Sequence, residues 1–160
     1  MAKHLFFYET PVGKIGIAEN GTAVTDVVFA ENPVPAPFPD RWERKETDLL
    51  RTAEAQLREY FSGRRKAFDF PIAPDGTPFQ EKVWKALREI PYGETRTYKE
   101  IAIAVGNEKA CRAVGMANNK NPIPIIIPCH RVIGANGKLV GYAGGLDTKQ
   151  LLLDLERRYA

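Results

Sequence analysis

The sequence has few residues that could form a disulfide or bind a metal: two cysteines, Cys111 and Cys129, and two histidines, His4 and His130. Two cysteines are too few for a disulfide-stapled scaffold and are typical of a reducing compartment. A metal site of three or four ligands would have to recruit these residues from distant segments. We therefore expect no metal, no cofactor and a cytoplasmic location.

Long apolar runs are also missing. The chain has no stretch of about 18 consecutive apolar residues, and its beginning lacks the basic segment followed by an apolar run that marks a secretory signal. Secretion and a membrane partner are therefore disfavoured. The 160 residues and the 44% hydrophobic content are enough for a real core.

Charge is distributed unevenly along the chain. Residues 1–75 carry 10 Lys and Arg against 12 Asp and Glu, a balance of −2, whereas residues 76–160 carry 13 against 8, a balance of +5. The basic excess lies entirely in the second half, where a polyanion would dock. On charge alone, a merely solvated basic face remains the simpler interpretation.

The first half has the pattern of a small α+β unit. Alternation predicts strands at 4–9, 14–19 and 23–30, with Asn20-Gly21 as a tight type I′ turn before the third. Pro33, Pro35, Pro37 and Pro39 predict a surface loop. A helix is expected from Thr47 to Ser62, with apolar positions at helical spacing: Leu50, Ala53, Leu57 and Phe61.

After a linker over 71–76, the second half shows helix signals. Thr77-Pro78-Phe79-Gln80 is a capping box that predicts a helix to about Ile90, and Thr97-x-x-Glu100 predicts a short helix ending at Gly106. Asn107 is expected to cap a helix over 108–118, and Asp147-x-x-Gln150 a last one. The helix that ends at Gly106 and the helix over 108–118 have the spacing of a helix-turn-helix. Two helices that only pack against the core would have the same spacing, so this alternative stays open.

The chemistry-bearing segment is Pro128-Cys129-His130-Arg131, at the end of an apolar run broken by prolines. A thiol is a useful nucleophile only as its thiolate, so a neighbouring base or cation matters, and His130 and Arg131 provide both types. Three alternatives remain: Cys129 could be a buried apolar residue, His130 a core histidine, and Arg131 a surface charge or a backbone clamp. Adjacent residues in extended chain point to opposite faces, so His130 would need a local turn or a bridging water to act on Cys129.

These residues resemble the active-site signature of the O6-alkylguanine-DNA alkyltransferases (methylated-DNA–protein-cysteine methyltransferases), especially the bacterial ones. The resemblance covers 79–156, and the beginning of the chain, 8–13, is similar as well. The matching motifs are Tyr98, Arg112-Ala113-Val114-Gly115, Asn121, Ile127-Pro128-Cys129-His130-Arg131 and Tyr142-Ala143-Gly144-Gly145-Leu146.

The resemblance implies a catalytic set. Cys129 would be the alkyl acceptor, His130 its base through a water, and Glu156 the carboxylate that orients the histidine. Asn121 would brace the active-site loop. Tyr98 would crowd the target phosphate and donate a proton to the departing guanine. Taken singly, Glu156 could equally be a solvated carboxylate, Asn121 a turn residue and Tyr98 a packed tyrosine.

The resemblance also implies DNA contacts and a base pocket. The damaged nucleotide must be rotated out of the stack, and Arg112 would enter the minor groove and fill the vacated space. Ala113 and Gly115 would allow close approach to the backbone, with Tyr98 and Arg131 as further DNA contacts. The pocket would be lined by Pro124, Val132, Tyr142 and Ala143, with Tyr142 stacking on guanine.

The expected fold is α+β: an N-terminal ribonuclease-H-like β-sheet domain over 1–75 and a helical C-terminal winged helix-turn-helix domain over 76–160. The expected activity is single-turnover repair of O6-alkylguanine, and potentially of O4-alkylthymine, by a monomer on double-stranded DNA, with cooperative binding left open. Two alternatives stand beside it. A non-catalytic sensor of alkylated DNA would explain the helix pair but not Cys129, His130 and Glu156 together. A cysteine hydrolase would need an oxyanion site that nothing in the sequence indicates.

Overall fold

The computed structural model describes residues 3–29 and 42–160, so the loop predicted at Pro33–Pro39 lies outside the described residues. The chain divides into two compact units, Met1–Pro74 and Asp75–Ala160. Both are mixtures of helix and strand, with the larger sheet in the first unit and most of the helices in the second. Within the described ranges, none of the helices combines the length and apolar character needed to cross a bilayer.

The first unit is a four-stranded sheet covered by one helix. Its strands are β1 (Lys3–Thr10), β2 (Gly13–Glu19), β3 (Val24–Phe29) and β4 (Trp42–Arg44), in the order β3-β2-β1-β4. The first three form an antiparallel meander, as predicted, whereas β4 adds to β1 in parallel. This fourth strand is only three residues long and was not predicted, because so short a segment has no periodicity.

The turn between β2 and β3 differs from the two-residue type I′ turn that Asn20-Gly21 predicts. Glu19 pairs with Val24, so four residues form the loop. The Asn20 Oδ1 atom accepts hydrogen bonds from the backbone N–H groups of Thr22 and Ala23, both at 3.0 Å. The asparagine side chain therefore organises a longer turn, and Gly21 supplies the positive φ of 99° within it.

Helix α1 (Asp48–Phe61) confirms the prediction, with Thr47 as N-cap and Ser62 as C-cap. Its buried face contains Leu50, Ala53 and Leu57 as expected, but Tyr60 rather than Phe61 completes it. Residues 71–73 are not a free linker, since Pro71 and Ala73 exchange backbone hydrogen bonds with Val24 beside β3.

The second unit contains four helices and a two-stranded parallel sheet. The elements are α2 (Pro78–Arg88), β5 (Arg96–Thr97), α3 (Tyr98–Ala104), α4 (Cys111–Asn119), β6 (Val132–Ile133) and α5 (Leu146–Tyr159). Both predicted capping boxes are present, at Thr77 and Thr97. Helix α4 packs on α2 and α3, and the Trp84 indole N–H donates to the Ala117 carbonyl at 2.9 Å.

Two predicted helix starts are wrong. Asn107 caps a separate turn, in which its side chain accepts from the Lys109 N–H and its carbonyl from the Ala110 N–H, so α4 begins only at Cys111. Helix α5 begins at Leu146, after Gly145, and shows no side-chain cap from Asp147. In both cases a tight turn comes directly before the helix, at 107–110 and at 142–145.

The capping box of α2 gives a direct stability test. In Thr77→Ala, the Gln80 N–H loses the hydroxyl that it donates to at 3.1 Å, so we expect a loss of about 1 kcal/mol in the free energy of unfolding. Urea denaturation followed by circular dichroism measures this loss. Thr77→Ser keeps the acceptor and should stay close to wild type; equal stability of all three proteins would contradict the prediction.

Candidate active site and helix-turn-helix

The predicted nucleophile lies in a single turn of 3₁₀-helix, Cys129–Arg131, between the proline-rich loop and β6. Pro128 precedes the turn, and its carbonyl accepts from the Arg131 N–H at 3.0 Å. Cys129, His130 and Arg131 are 4%, 0% and 7% exposed. The chain is therefore not extended here, and this local turn buries all three side chains in one unit.

The loop before the turn is held by Asn121. Its Nδ2 donates to the Ile127 carbonyl at 2.8 Å, and its Oδ1 accepts from the Ile123 N–H at 2.9 Å. Within the described ranges, Ile125 is the one non-glycine residue with a positive φ, 75°. That conformation is costly for a β-branched residue and persists only where the surroundings enforce it. The Asn121 side chain is part of that enforcement.

Glu156 from α5 connects the other two side chains of the turn. Its Oε2 lies 2.6 Å from the His130 Nε2, and the Arg131 guanidinium donates to both carboxylate oxygens, at 2.7 and 3.0 Å. Arg131 also donates to the Ile90 carbonyl at 2.7 Å, and the Gly93 N–H donates to Glu156 Oε1 at 3.2 Å. A single buried carboxylate thus joins α5, the turn and the segment after α2.

The ionisation states follow from this arrangement. Burial lowers the pKa of His130, although the hydrogen bond to Glu156 opposes the shift. Burial alone would raise the pKa of Glu156, but its hydrogen bonds and charge interactions with His130 and Arg131 lower it to about 2. A neutral imidazole donates from Nε2 to the ionised carboxylate, which leaves Nδ1 as the basic nitrogen. This Nδ1 is buried and accepts from no described residue.

The thiol is protonated in the resting site. Burial raises the pKa of Cys129 to about 11, opposed by a hydrogen bond from Asn121, by the charge of Lys149 and by its own backbone N–H. The cation near the thiol is therefore Lys149, not Arg131 as the sequence indicated. Lys149 is fully buried and donates to the carbonyls of Val140 and Gly141, at 2.9 and 3.3 Å.

A small, narrow cleft reaches Cys129. It brings together Asn121 and three of the predicted pocket residues, Pro124, Tyr142 and Ala143. Asn118, Asn119 and Gly141 line it as well. The Tyr142 ring lies edge-on to the His130 ring, with 6.5 Å between centroids. The cleft is therefore next to the imidazole as well as the thiol.

Two sequence expectations do not fit the observed positions. Val132 is fully buried in β6, where it pairs with Arg96, and it is not one of the residues that line the cleft. Arg131 was expected to contact DNA, but its guanidinium is buried and hydrogen-bonded within the chain. Both follow from the 3₁₀ turn, which directs the chain after Cys129 into the core. We therefore treat Arg131 as a positioning residue.

Helices α3 and α4 form the helix-turn-helix. Arg112, Ala113 and Met116 lie on the exposed side of α4, while Val114 and Ala117 are buried. A Cβ added at Gly115 would come no closer than 3.9 Å to the Tyr98 ring, which is ordinary contact, so internal packing does not require glycine there. The Tyr98 hydroxyl donates to the Val140 carbonyl at 3.0 Å, which ties α3 to the segment before α5.

Sequence reasoning missed two residues of the site, Lys149 and Asn118. A lysine within an amphipathic helix indicates solvent exposure, and an asparagine in the last turn of a helix is common, so neither gives a signal. Only tertiary packing places Asn118 at the cleft and brings the charge of Lys149 near the thiol. Among the described residues, no group of three or more His, Cys, Asp or Glu side chains is arranged to hold a metal ion.

The second unit thus combines a helix-turn-helix with a buried thiol, imidazole and carboxylate, which defines a nucleic-acid-binding protein with a cysteine nucleophile. Residues 78–158 match the family model of the 6-O-methylguanine DNA methyltransferase, DNA binding domain, and residues 4–74 that of its ribonuclease-like domain. The chain belongs to this family, which confirms the resemblance and the fold class inferred from the sequence.

Individual relatives cover almost the whole chain. A methylated-DNA–protein-cysteine methyltransferase of Methanosarcina acetivorans is 56% identical over 149 residues, 93% of this chain and 95% of the relative. The constitutive one of Bacillus subtilis is 49% identical, with 93% and 92% covered. The crystal structure of Mycobacterium tuberculosis OGT in complex with DNA has a TM-score of 0.88 at 44% identity, covering 98% of this chain and 94% of that one.

Replacing Glu156 should destabilise the protein in a pH-dependent way. In Glu156→Gln the buried Arg131 loses its counter-ion, which costs roughly 3–5 kcal/mol near neutral pH. The pKa of Glu156 is about 2 in the folded protein, below the value of about 4.3 expected in the unfolded chain. The ionised carboxylate therefore stabilises the folded state fully above about pH 4.3, and this contribution is lost as the pH falls toward 2. The stability gap between wild type and variant, measured by urea denaturation, should therefore narrow over that range.

The control is Glu108→Gln, which removes an exposed carboxylate of the same unit. Its stability should follow wild type at every pH. A gap for Glu156→Gln that stays constant from pH 5 to pH 2 would contradict the assigned ionisation state.

Proposed function

We propose that this chain repairs DNA by moving the alkyl group of O6-alkylguanine onto the Sγ atom of Cys129. The observation that carries the proposal is the cleft that reaches the Cys129 thiol. Beside this thiol lies the His130 imidazole, whose Nε2 is hydrogen-bonded to Glu156, so that Nδ1 is the nitrogen that can act as a base. The relatives carry the name methylated-DNA–protein-cysteine methyltransferase, and a similar chain has been solved in complex with DNA. Both agree with this chemistry.

The first step removes the thiol proton. Cys129 is protonated at rest, and the free Nδ1 of neutral His130 receives its proton through one water molecule. The imidazolium that forms lies 2.6 Å from the ionised Glu156, which stabilises its charge. Lys149 and Asn121 stabilise the thiolate. Both ions that form would be costly to bury alone. Glu156 takes the place of water beside the His130 imidazolium, and Lys149 and Asn121 do so beside the Cys129 thiolate.

In the second step the thiolate attacks the alkyl carbon. The S–C bond forms as the C–O6 bond breaks, and the electron pair of that bond stays on the O6 atom of guanine, which takes up a proton and remains in the DNA as a neutral base. Tyr98 is the proposed donor. Its hydroxyl donates to the Val140 carbonyl before the base enters, and it stays protonated because burial raises its pKa, with a contribution from Cys129. The product is a thioether that ordinary thiol chemistry does not reverse, so each molecule acts once.

The target base reaches the cleft only after it leaves the stack. Arg112 on the exposed side of α4 is the proposed side chain that fills the vacated space, and Ala113 and Gly115 keep that side small enough for close approach to the backbone. Since nothing inside the protein requires glycine at 115, close approach to DNA is a sufficient reason for it.

We assign the chemistry and the DNA contact to residues 76–160 and a supporting role to residues 1–75. All proposed catalytic and DNA-contacting side chains lie in the second unit. We also propose a cytoplasmic location, because Cys129 must stay reduced to act, and both cysteines are free thiols.

The central test incubates the protein with a duplex that carries one O6-methylguanine and weighs the intact protein. We expect a gain of one methyl mass, mapped to Cys129 and saturating at one per molecule, and no gain in Cys129→Ser. Cys111→Ser is the matched control and should react as wild type does. Binding of the lesion without any mass gain would exclude the transferase and favour a sensor of alkylated DNA.

A second test separates base extrusion from chemistry. Arg112→Ala should slow transfer from duplex DNA on the order of tenfold or more, because unstacking costs a few kcal/mol and loses its compensation. Transfer from the free base O6-benzylguanine should stay unchanged, since no extrusion is needed. Arg88→Ala, which removes an exposed arginine of α2, is the control. Equal slowing with both substrates would show that Arg112 acts on the cleft instead.

A further inference from the structure

Met116 is an exposed apolar residue of α4 that has no role in the DNA contact proposed so far. It is 63% exposed, more than any other large apolar residue within 3–29 and 42–160, and Ile103 on α3 follows at 54%. Single exposed apolar residues are common on protein surfaces, so exposure alone does not indicate a contact. The position of Met116 on the helix is what distinguishes it.

Met116 lies between two cations on one side of α4. Arg112 is four residues before it, and Lys120, at the end of the helix, is four residues after it. Residues at this spacing are neighbours on the same helix face, and at a rise of about 1.5 Å per residue the three span about 12 Å. Both cations are exposed, and neither forms an ion pair within the described ranges. Together these three side chains form a stripe, the α4 stripe, that is cationic at both ends and apolar in the middle.

The fold itself does not require an apolar side chain at this position. The buried side of α4 carries Val114 and Ala117, and Met116 points away from it. Ala113 is exposed and Gly115 has no side chain, so Met116 projects from a low surface. An apolar residue at 116 therefore has its use in a partner, and the two free cations of the α4 stripe favour a polyanion as that partner.

We propose that Met116 enters the minor groove beside Arg112 and acts as an apolar wedge during base extrusion. This inference rests on the proposed function. Met116 lies about 6 Å from Arg112 along the helix axis, which is less than two base steps of about 3.4 Å. Proteins that distort DNA through the minor groove insert apolar side chains, methionine among them, at unstacked base steps. Extrusion exposes apolar faces of the neighbouring bases and sugars, and Met116 covers these while Arg112 fills the vacated space.

The test compares two substitutions at the same position. Met116→Gln keeps the unbranched shape and the helix propensity but removes the apolar contact, whereas Met116→Leu keeps an apolar side chain. Transfer rates are measured with a subsaturating O6-methylguanine duplex and with the free base O6-benzylguanine. Met116→Gln should lower the ratio of the duplex rate to the free-base rate by about fivefold or more, because the burial of a side chain of this size is lost. Met116→Leu should stay within about twofold of wild type.

Duplex affinity gives a readout that does not require transfer. Binding is measured by fluorescence anisotropy at two salt concentrations, with Cys129→Ser present in every protein so that the lesion is not consumed. Met116→Gln should weaken binding by the same factor at both salt concentrations, because no phosphate contact is lost. Ile103→Gln is the matched control: it removes an exposed apolar side chain from a groove between α2 and α3, and it should bind and react as wild type does.

The outcomes are distinguishable. A wild-type rate ratio and affinity in Met116→Gln would overturn the wedge and leave the transferase intact. Equal slowing with both substrates would also overturn it, since Met116 would then act on the cleft. No transfer by wild type from either substrate would overturn the proposed function, whatever the effect of Met116→Gln on affinity.

Discussion

The buried carboxylate of Glu156 is the interaction on which the rest of the site depends. Its single negative charge balances the Arg131 guanidinium, so the imidazole can stay neutral and the thiol protonated in an environment with little solvent. It also fixes which imidazole nitrogen is basic, because Nε2 is occupied by the carboxylate. The same group connects α5 to the turn and, through Arg131, to the Ile90 carbonyl in the segment after α2. Structural and chemical roles therefore cannot be separated at this residue.

The charge arrangement explains how a strongly buried thiol can still be a nucleophile. Burial raises the pKa of Cys129, which protects the thiol from adventitious electrophiles, since only the thiolate reacts readily. The groups that favour the thiolate, Asn121 and Lys149, come from different segments and both hold backbone carbonyls as well. The thiolate is thus formed in a site whose dipoles and charges are already oriented, and little reorganisation is needed during the transfer.

The sequence predicted what depends on local chemistry. The capping boxes at Thr77 and Thr97 and the periodicity of α1 involve residues within a few positions of one another, so they are visible in the chain itself. The sequence pattern also contained Cys129 and His130 as neighbours, and the resemblance added Glu156. Arg131, Val132 and Lys149 could not be placed, because their surroundings depend on the 3₁₀ turn and on contacts between segments that are distant along the chain. The pairing of β5 with β6 could not be predicted from the sequence either, because each strand has only two residues.

The strained loop before Cys129 follows from the same requirement for a preoriented site. Ile125 has a φ of 75° and is 1% exposed, so its backbone cost, of order 1–3 kcal/mol, is offset by burial of its side chain and by the hydrogen bonds of Asn121 on either side of it. Prolines at 122, 124 and 128 reduce the number of conformations available to the unfolded segment. A loop built in this way cannot adapt much to its ligand. The cleft must therefore receive the base with the groups it already presents, among them the side chains of Asn121, Pro124 and Tyr142.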